Sequence, residues 1–308
     1  MRWDDFRRSD NVIDDRDGGG GFGGGYGGGF GFPGGTGGLG IGGMVVLGLI
    51  GWALGIDPSV LIGGAEILTG GDSRYEAPVR PRSTRTSRPS DEAGQFISAV
   101  LGSTEDTWQE ILRQNGQTYH APTLHLFAGG VQGGCGLAQA AMGPFYCPRD
   151  KQIYLDTSFF RQIETRFRGC TGKACKFSQA YVVAHEVGHH VQNELRILPK
   201  AQQAQQAAGN KVAANRIQVQ VELQADCFAG IWANQAQKKY NFLDPGDIDA
   251  ALQTASAIGD DTLQKQTQGR VVPDAFTHGS AEQRKRWFMT GFTQGKIDAC
   301  NTFNAAQF

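Results

Sequence analysis

The chain has 308 residues, a net charge of −1, a pI near 6.6 and 40% hydrophobic residues. That length allows one or two domains, and the near-neutral charge removes any global electrostatic case for a nucleic-acid partner. Its 45 glycines exceed ordinary usage, but eighteen of them fall between Gly18 and Gly43, so the rest can build a globular core.

In chain order, Met1–Asp17 is polar, with six Asp against four Arg. Gly18 to Gly38 is a glycine tract broken by Phe22, Tyr26, Phe30 and Phe32, too poor in apolar surface to offset its ordering entropy. Residues 1–38 are therefore expected to form a disordered tail whose spaced aromatics could support weak self-association. Leu39 to Ile56 carries no charge and would span roughly 27 Å as a helix, enough for a bilayer core. It starts too late for a signal peptide and lacks a basic start and a small-residue cleavage site. Residues 39–56 are read as a single-pass membrane anchor, with Gly51 and Gly55 spaced to pack against a partner helix. Residues 57–90, rich in Pro, Ser, Thr and Arg, read as a flexible linker.

Residues 91–308 read as the folded domain. Phe96, Val100 and Leu101 make a short helical stripe, and Ser103-Thr104-Glu105-Asp106 resembles the capped start of a second helix carrying Trp108, Ile111 and Leu112. Thr123–Phe127 and Gln152–Asp156 are strands separated by glycine turns, and residues 159–167 are helical. All six cysteines lie in this domain and none forms a Cys-x-x-Cys pair, which argues for disulfides in an oxidising compartment. Sequence does not fix their connectivity. Proximity favours Cys135 with Cys147 and Cys170 with Cys175, leaving Cys227 for Cys300. The arginines at 74, 80, 82, 85 and 88 lean towards a cytoplasmic domain. The cysteines weigh more, and the domain is expected outside the cytoplasm.

Ser178 is expected to cap a helix whose core face is Ala180, Ala184, Val187, Val191 and Leu195. On another face of it, shared with Ser178 and Gln192 and expected to look into a cleft, His185 and His189 stand one turn apart, so both imidazoles can reach one metal ion. Glu186 sits close enough to take a proton from a water at that metal without being a ligand. With six His and ten Glu in the chain, chance gives on the order of 0.004 His-Glu-x-x-His matches, so an accidental surface pair is the weaker reading. Gly188 costs about 1 kcal/mol of helix propensity, which makes sense if another backbone or a substrate approaches there. His190 points off the face and is read as a polar neighbour; His120 and His125 are read as structural.

Residues 211–240 read as a long helix in which Glu222 and Asp226 again stand four apart. Catalytic zinc takes three protein ligands and keeps one open position. His185, His189 and Glu222 can fill those places, and Asp226 would accept the free ring N–H of a ligand histidine.

His-Glu-x-x-His followed by Glu222-Leu223-Gln224-Ala225-Asp226 resembles the gluzincin metallopeptidases. The Gly-rich tail, the single apolar segment, Gly143-Pro144-Phe145-Tyr146-Cys147-Pro148 and Thr277-His278-Gly279-Ser280 extend the likeness. Over nearly its whole length the chain resembles the YpfJ-type neutral zinc metallopeptidases of bacteria. The resemblance implies an α+β, zincin-like fold, one zinc ion held by His185, His189 and Glu222, and Glu186 as catalytic base. Thr277 to Arg284 is similar to the Thr-His-Pro-Ser-x-x-x-Arg segment of membrane-linked gluzincins, with Gly279 replacing the proline. That similarity gives His278 an oxyanion-stabilising role. It gives Arg284 the task of orienting His278 or pairing with an acidic residue beside the metal.

The expectation is a zinc metalloendopeptidase of the bacterial inner membrane. Its peptide or protein substrate would lie along Thr123–Phe127 by strand addition. The alternatives are a catalytically silent, zinc-stabilised scaffold, which would not need Glu186 or His278, and a hydrolase of a non-peptide amide.

Overall fold

The computed structural model describes residues 1–16, 88–139, 143–165, 170 and 175–304. The glycine tract, the apolar stretch 39–56 and most of the linker lie outside the described residues. No helix among the described residues is long and apolar enough to cross a membrane.

The fold is α+β. Its strands are β1 (Val12–Asp14), β2 (Thr123–Phe127), β3 (Gly130–Gly133), β4 (Gly136–Gln139), β5 (Phe145–Cys147) and β6 (Gln152–Asp156). A mixed sheet runs in the order β1-β2-β6-β5. β1 lies parallel to β2 with Val12 opposite Leu124, and β2 lies parallel to β6 with His125 opposite Tyr154. β5 runs antiparallel to β6, with Tyr146 opposite Ile153. β3 and β4 form a separate hairpin, tied to β5 by the Cys135–Cys147 disulfide. Because β2 has a partner on each side, its backbone groups are already spent. The expected substrate alignment along Thr123–Phe127 therefore falls, and β1 and β5 are the two outer strands of this sheet.

The helices are α1 (Glu92–Gln114), α2 (Ser158–Thr165), α3 (Cys175–Glu194), α4 (Ile197–Gln206), α5 (Lys211–Tyr240), α6 (Asp247–Ala257), α7 (Asp260–Gln268) and α8 (Ala281–Gln294). Trp108, Phe177, Phe228, Trp232, Phe242 and Phe288 fill the core between them. α1 is one continuous helix, where two were expected. Its N-cap is Asp91, which accepts from the Gly94 N–H. The polar run inside it makes bonds rather than a cap: Ser103 accepts from the Trp232 indole at 3.0 Å and Thr104 donates to the Leu101 carbonyl at 2.7 Å. Ser178 is likewise inside α3, which begins at Cys175 beside the Cys170–Cys175 disulfide. The third disulfide joins Cys227 to Cys300, so all three expected pairings are present.

The first sixteen residues depart most from the expected tail. Phe6 and Val12 are buried in the main core, and Phe6 packs on Tyr240 and Phe242 at 4.9 and 5.2 Å between ring centroids. Buried Glu105 on α1 takes Ser9 at 2.6 Å, Asn11 at 2.8 Å and Arg7 at 2.6 Å. Gly102 makes room for this segment, since a Cβ there would lie 2.2 Å from the Arg7 carbonyl oxygen. The segment is poor in apolar residues, but its charged and polar groups find partners on α1, and its backbone completes the sheet.

Candidate metal centre

α3 and α5 cross at Gly188, where a Cβ would lie 2.9 Å from the Ala225 carbonyl oxygen. Absence of a side chain lets the two backbones touch, which brings His185 and His189 on one helix up to Glu222 on the other. Their ligand atoms all lie within 4.8 Å of one another. His185 Nε2 and His189 Nε2 stand 3.3 and 3.4 Å from the same Glu222 oxygen.

The opposite ring nitrogens are occupied. His185 Nδ1 lies 2.8 Å from Asp226, as expected, and His189 Nδ1 lies 2.9 Å from the amide oxygen of Gln192. With each Nδ1 hydrogen bonded outwards, each Nε2 faces inwards, where a metal ion would take its lone pair in place of the proton shared with Glu222. Two imidazole nitrogens and one carboxylate oxygen suit zinc, and three ligands leave a fourth position for a reacting group. The residues therefore fit a catalytic zinc ion. The other cluster of metal-ligand residue types, Glu164 with Cys170 and Cys175, has both its sulfurs in a disulfide.

Charge is concentrated behind the ligands. Asp226 is fully buried and takes Arg284 through two bonds of 2.8 and 2.9 Å, together with the Tyr181 hydroxyl at 2.5 Å. Burial opposes charge on Asp226, but Arg284 and His185 outweigh it and hold the carboxyl well below its ordinary range. Burial also opposes charge on His185; Asp226 and Glu222 win and push it to about 10. For Glu222, burial is outweighed by His189 and His185, and its carboxyl stays ionised far below the usual range. Glu186 behaves differently. Burial raises its carboxyl, with the neighbouring histidines and the Tyr146 main chain opposing only in part.

The expected residues His185, Glu186, His189, Glu222 and Asp226 thus come together. Of the two roles offered to Arg284, it takes the pairing with the acidic residue beside the metal. His278 is held by Asp260, not by Arg284. Asp260 accepts the main-chain N–H groups of Thr277, His278 and Gly279, and one of its oxygens lies 3.0 Å from His278 Nδ1. The His278 loop rests on α5 one turn from Glu222, where Gly279 meets Val219 and Leu223. Gly279 has φ +88°, a conformation closed to proline, so this loop has its own geometry. His190 is not a ligand: it is buried, with Nε2 2.6 Å from the His120 carbonyl and Nδ1 3.2 Å from the Tyr146 hydroxyl. Burial lowers it to about 4, so it stays neutral.

Three supporting residues escaped the sequence reading: Tyr181, Gln224 and Asp260. Gln192 lies with the histidines on the face expected for it, and Tyr181 carried a usable signal, standing four before His185 on the same helix. Gln224 is bonded to Gln192 at 3.0 Å and to the Cys300 carbonyl at 2.9 Å, and nothing in its spacing announces that.

Comparison with known proteins agrees with this arrangement. The Escherichia coli K12 protein described as "Uncharacterized protein YpfJ" is 45% identical over 304 residues, 98% of this chain and 99% of its own. The "Uncharacterized protein Mb2605" of Mycobacterium bovis is 43% identical over 233 residues, 71% of this chain and 75% of its own. No solved structure matches. The family described as "Putative neutral zinc metallopeptidase" matches residues 1–303, the first strand and the metal centre alike, and the chain belongs to it.

Proposed function

We propose that the protein is a zinc-dependent peptidase in which Glu186 is the general base. The observation that carries this reading is the convergence of His185, His189 and Glu222 with each histidine locked from behind, and with Glu186 next in sequence to the first ligand. Zinc held there would supply positive charge to polarise a scissile carbonyl and make a nearby water more acidic. Glu186 takes the proton from the attacking water and delivers it to the leaving amine. A carboxyl raised by burial suits a group that must both accept and release a proton. His278, held by Asp260, offers a ring N–H to the developing oxyanion.

The substrate is a peptide or protein in extended form, laid along the free edge of β5. The Tyr146 main chain in that strand faces the Glu186 carboxyl and favours its charge, so a peptide added along β5 runs close to the base. The three disulfides support an oxidising location, and we place the domain outside the cytoplasm.

The decisive substitution is Glu186→Gln in the full chain. Zinc content and unfolding should match the parent, while peptide hydrolysis falls about 10²–10⁴-fold. A metal-stabilised scaffold would have no activity to lose, and an unchanged rate in the substituted protein would remove Glu186 from the mechanism.

A further inference from the structure

We propose that residues 1–16 and residues 88–304 lie on the same side of any bilayer this protein meets. The apolar stretch 39–56 then cannot hold the domain by a single crossing. Two groups of contacts carry this inference, both made by residues flanking the stretch.

The first is the seat of residues 1–16 on the domain. β1 bonds to β2 in register, and its ends are fixed by Leu124 N–H donating to the Asn11 carbonyl and Asp15 N–H donating to the Leu126 carbonyl, each 2.8 Å. Ser9 and Ser98 exchange two bonds of 2.9 Å: the Ser9 N–H donates to the Ser98 carbonyl, and the Ser98 hydroxyl donates to the Ser9 carbonyl. His125 Nδ1 reaches Asp15 at 3.1 Å from inside the sheet. With Phe6 and Val12 in the core, this is the seating of an integral strand, and removing it would leave Glu105 buried without its partners.

The second is where the chain leaves and returns. Arg16, the last described residue before the gap, bonds Asp91 through both terminal nitrogens at 2.9 and 2.5 Å. Arg88, the first after it, pairs with Asp10 at 2.7 Å. Residues 17–87 therefore begin and end at one place on the domain, where β1 finishes and α1 starts. A segment with both ends on one body crosses a bilayer an even number of times, zero or two. Supplying residues 1–16 from a second copy would not change this, because each copy would still place its own first strand on the domain's side.

The conclusion does not rest on catalysis and is tested without it. All six cysteines are in disulfides, so one added thiol can be read alone. Asp5→Cys and Lys285→Cys, both at exposed positions, are made separately in the full chain and treated on intact cells with a membrane-impermeant maleimide, before and after permeabilisation. The expected result is the same pattern for both: labelling before, or only after. Labelling of one in intact cells with complete loss at the other would overturn the proposal. A second measurement guards against misfolding of either variant. A site-specific protease sequence is inserted between residues 57 and 87 and cut in the purified protein. The piece carrying residues 1–16 should co-elute with the rest under native conditions and leave it only in denaturant. If it leaves on cutting alone, the single folded body does not exist and the topology argument fails.

Discussion

The two histidines of the candidate metal centre rest on opposite kinds of support. His185 is backed by an ionised carboxylate, itself fixed by a buried guanidinium and a tyrosine hydroxyl. His189 is backed by a neutral amide, whose NH2 group donates to the Val221 carbonyl at 2.8 Å and to Gln224 at 3.0 Å. A carboxylate raises the basicity of its histidine; an amide fixes the ring's orientation and adds no charge. With a metal bound, the site would separate two tasks, electron donation through His185 and alignment through His189.

Breaking the charged side should cost most. Asp226→Ala strands Arg284 in the core, and should destabilise the metal-free protein by about 3–5 kcal/mol in urea unfolding. In competition with a zinc chelator it should also weaken zinc binding by up to about 100-fold. His278 resembles His185 in being supported by a carboxylate, that of Asp260, but it is not among the clustered metal-binding groups. Asp260→Asn should leave zinc affinity near the parent value, lower kcat by about 10-fold or more, and cost roughly 1–2 kcal/mol of stability. The Asp260 carboxyl is buried, yet His278 and the loop N–H groups hold it below 3.8. Its stabilisation is thus present above that pH and lost as acid protonates the folded protein, so parent and variant should converge in stability only once the pH falls through the depressed folded-state value. Gln192→Ala should have the smallest effect, near 10-fold in zinc affinity and about 1 kcal/mol in unfolding. Equal losses of zinc affinity in Gln192→Ala and Asp226→Ala would show that orientation alone matters and that the charge behind His185 adds nothing.

Much of the centre was legible because it obeys helical spacing. Ligands four apart on α3 and carboxylates four apart on α5 can be paired on paper, and α5 has the bounds its sequence suggests. Contacts between distant segments were not legible. Ser103 to Glu105 has the composition of a helix cap, yet those residues serve Trp232 and the N-terminal segment. Asp260 lies far from His278 in sequence, and only folding shows that it builds the loop. Residues 1–16 misled for the same reason. Their charges suggest solvation, and the partners that bury them are on α1 and β2.

That first strand also has a consequence for the order in which the protein is made. Val12 leaves the ribosome long before Leu124, its partner across the sheet. At about 5–20 residues per second, the delay is roughly 6–22 s. Over that interval Phe6 and Val12 have no core to enter, and the six Asp and four Arg among the first seventeen residues keep the waiting segment hydrated. Phe6 waits longer still, for Tyr240 and Phe242. Completion of the domain is therefore a long-range event of the kind that slows folding.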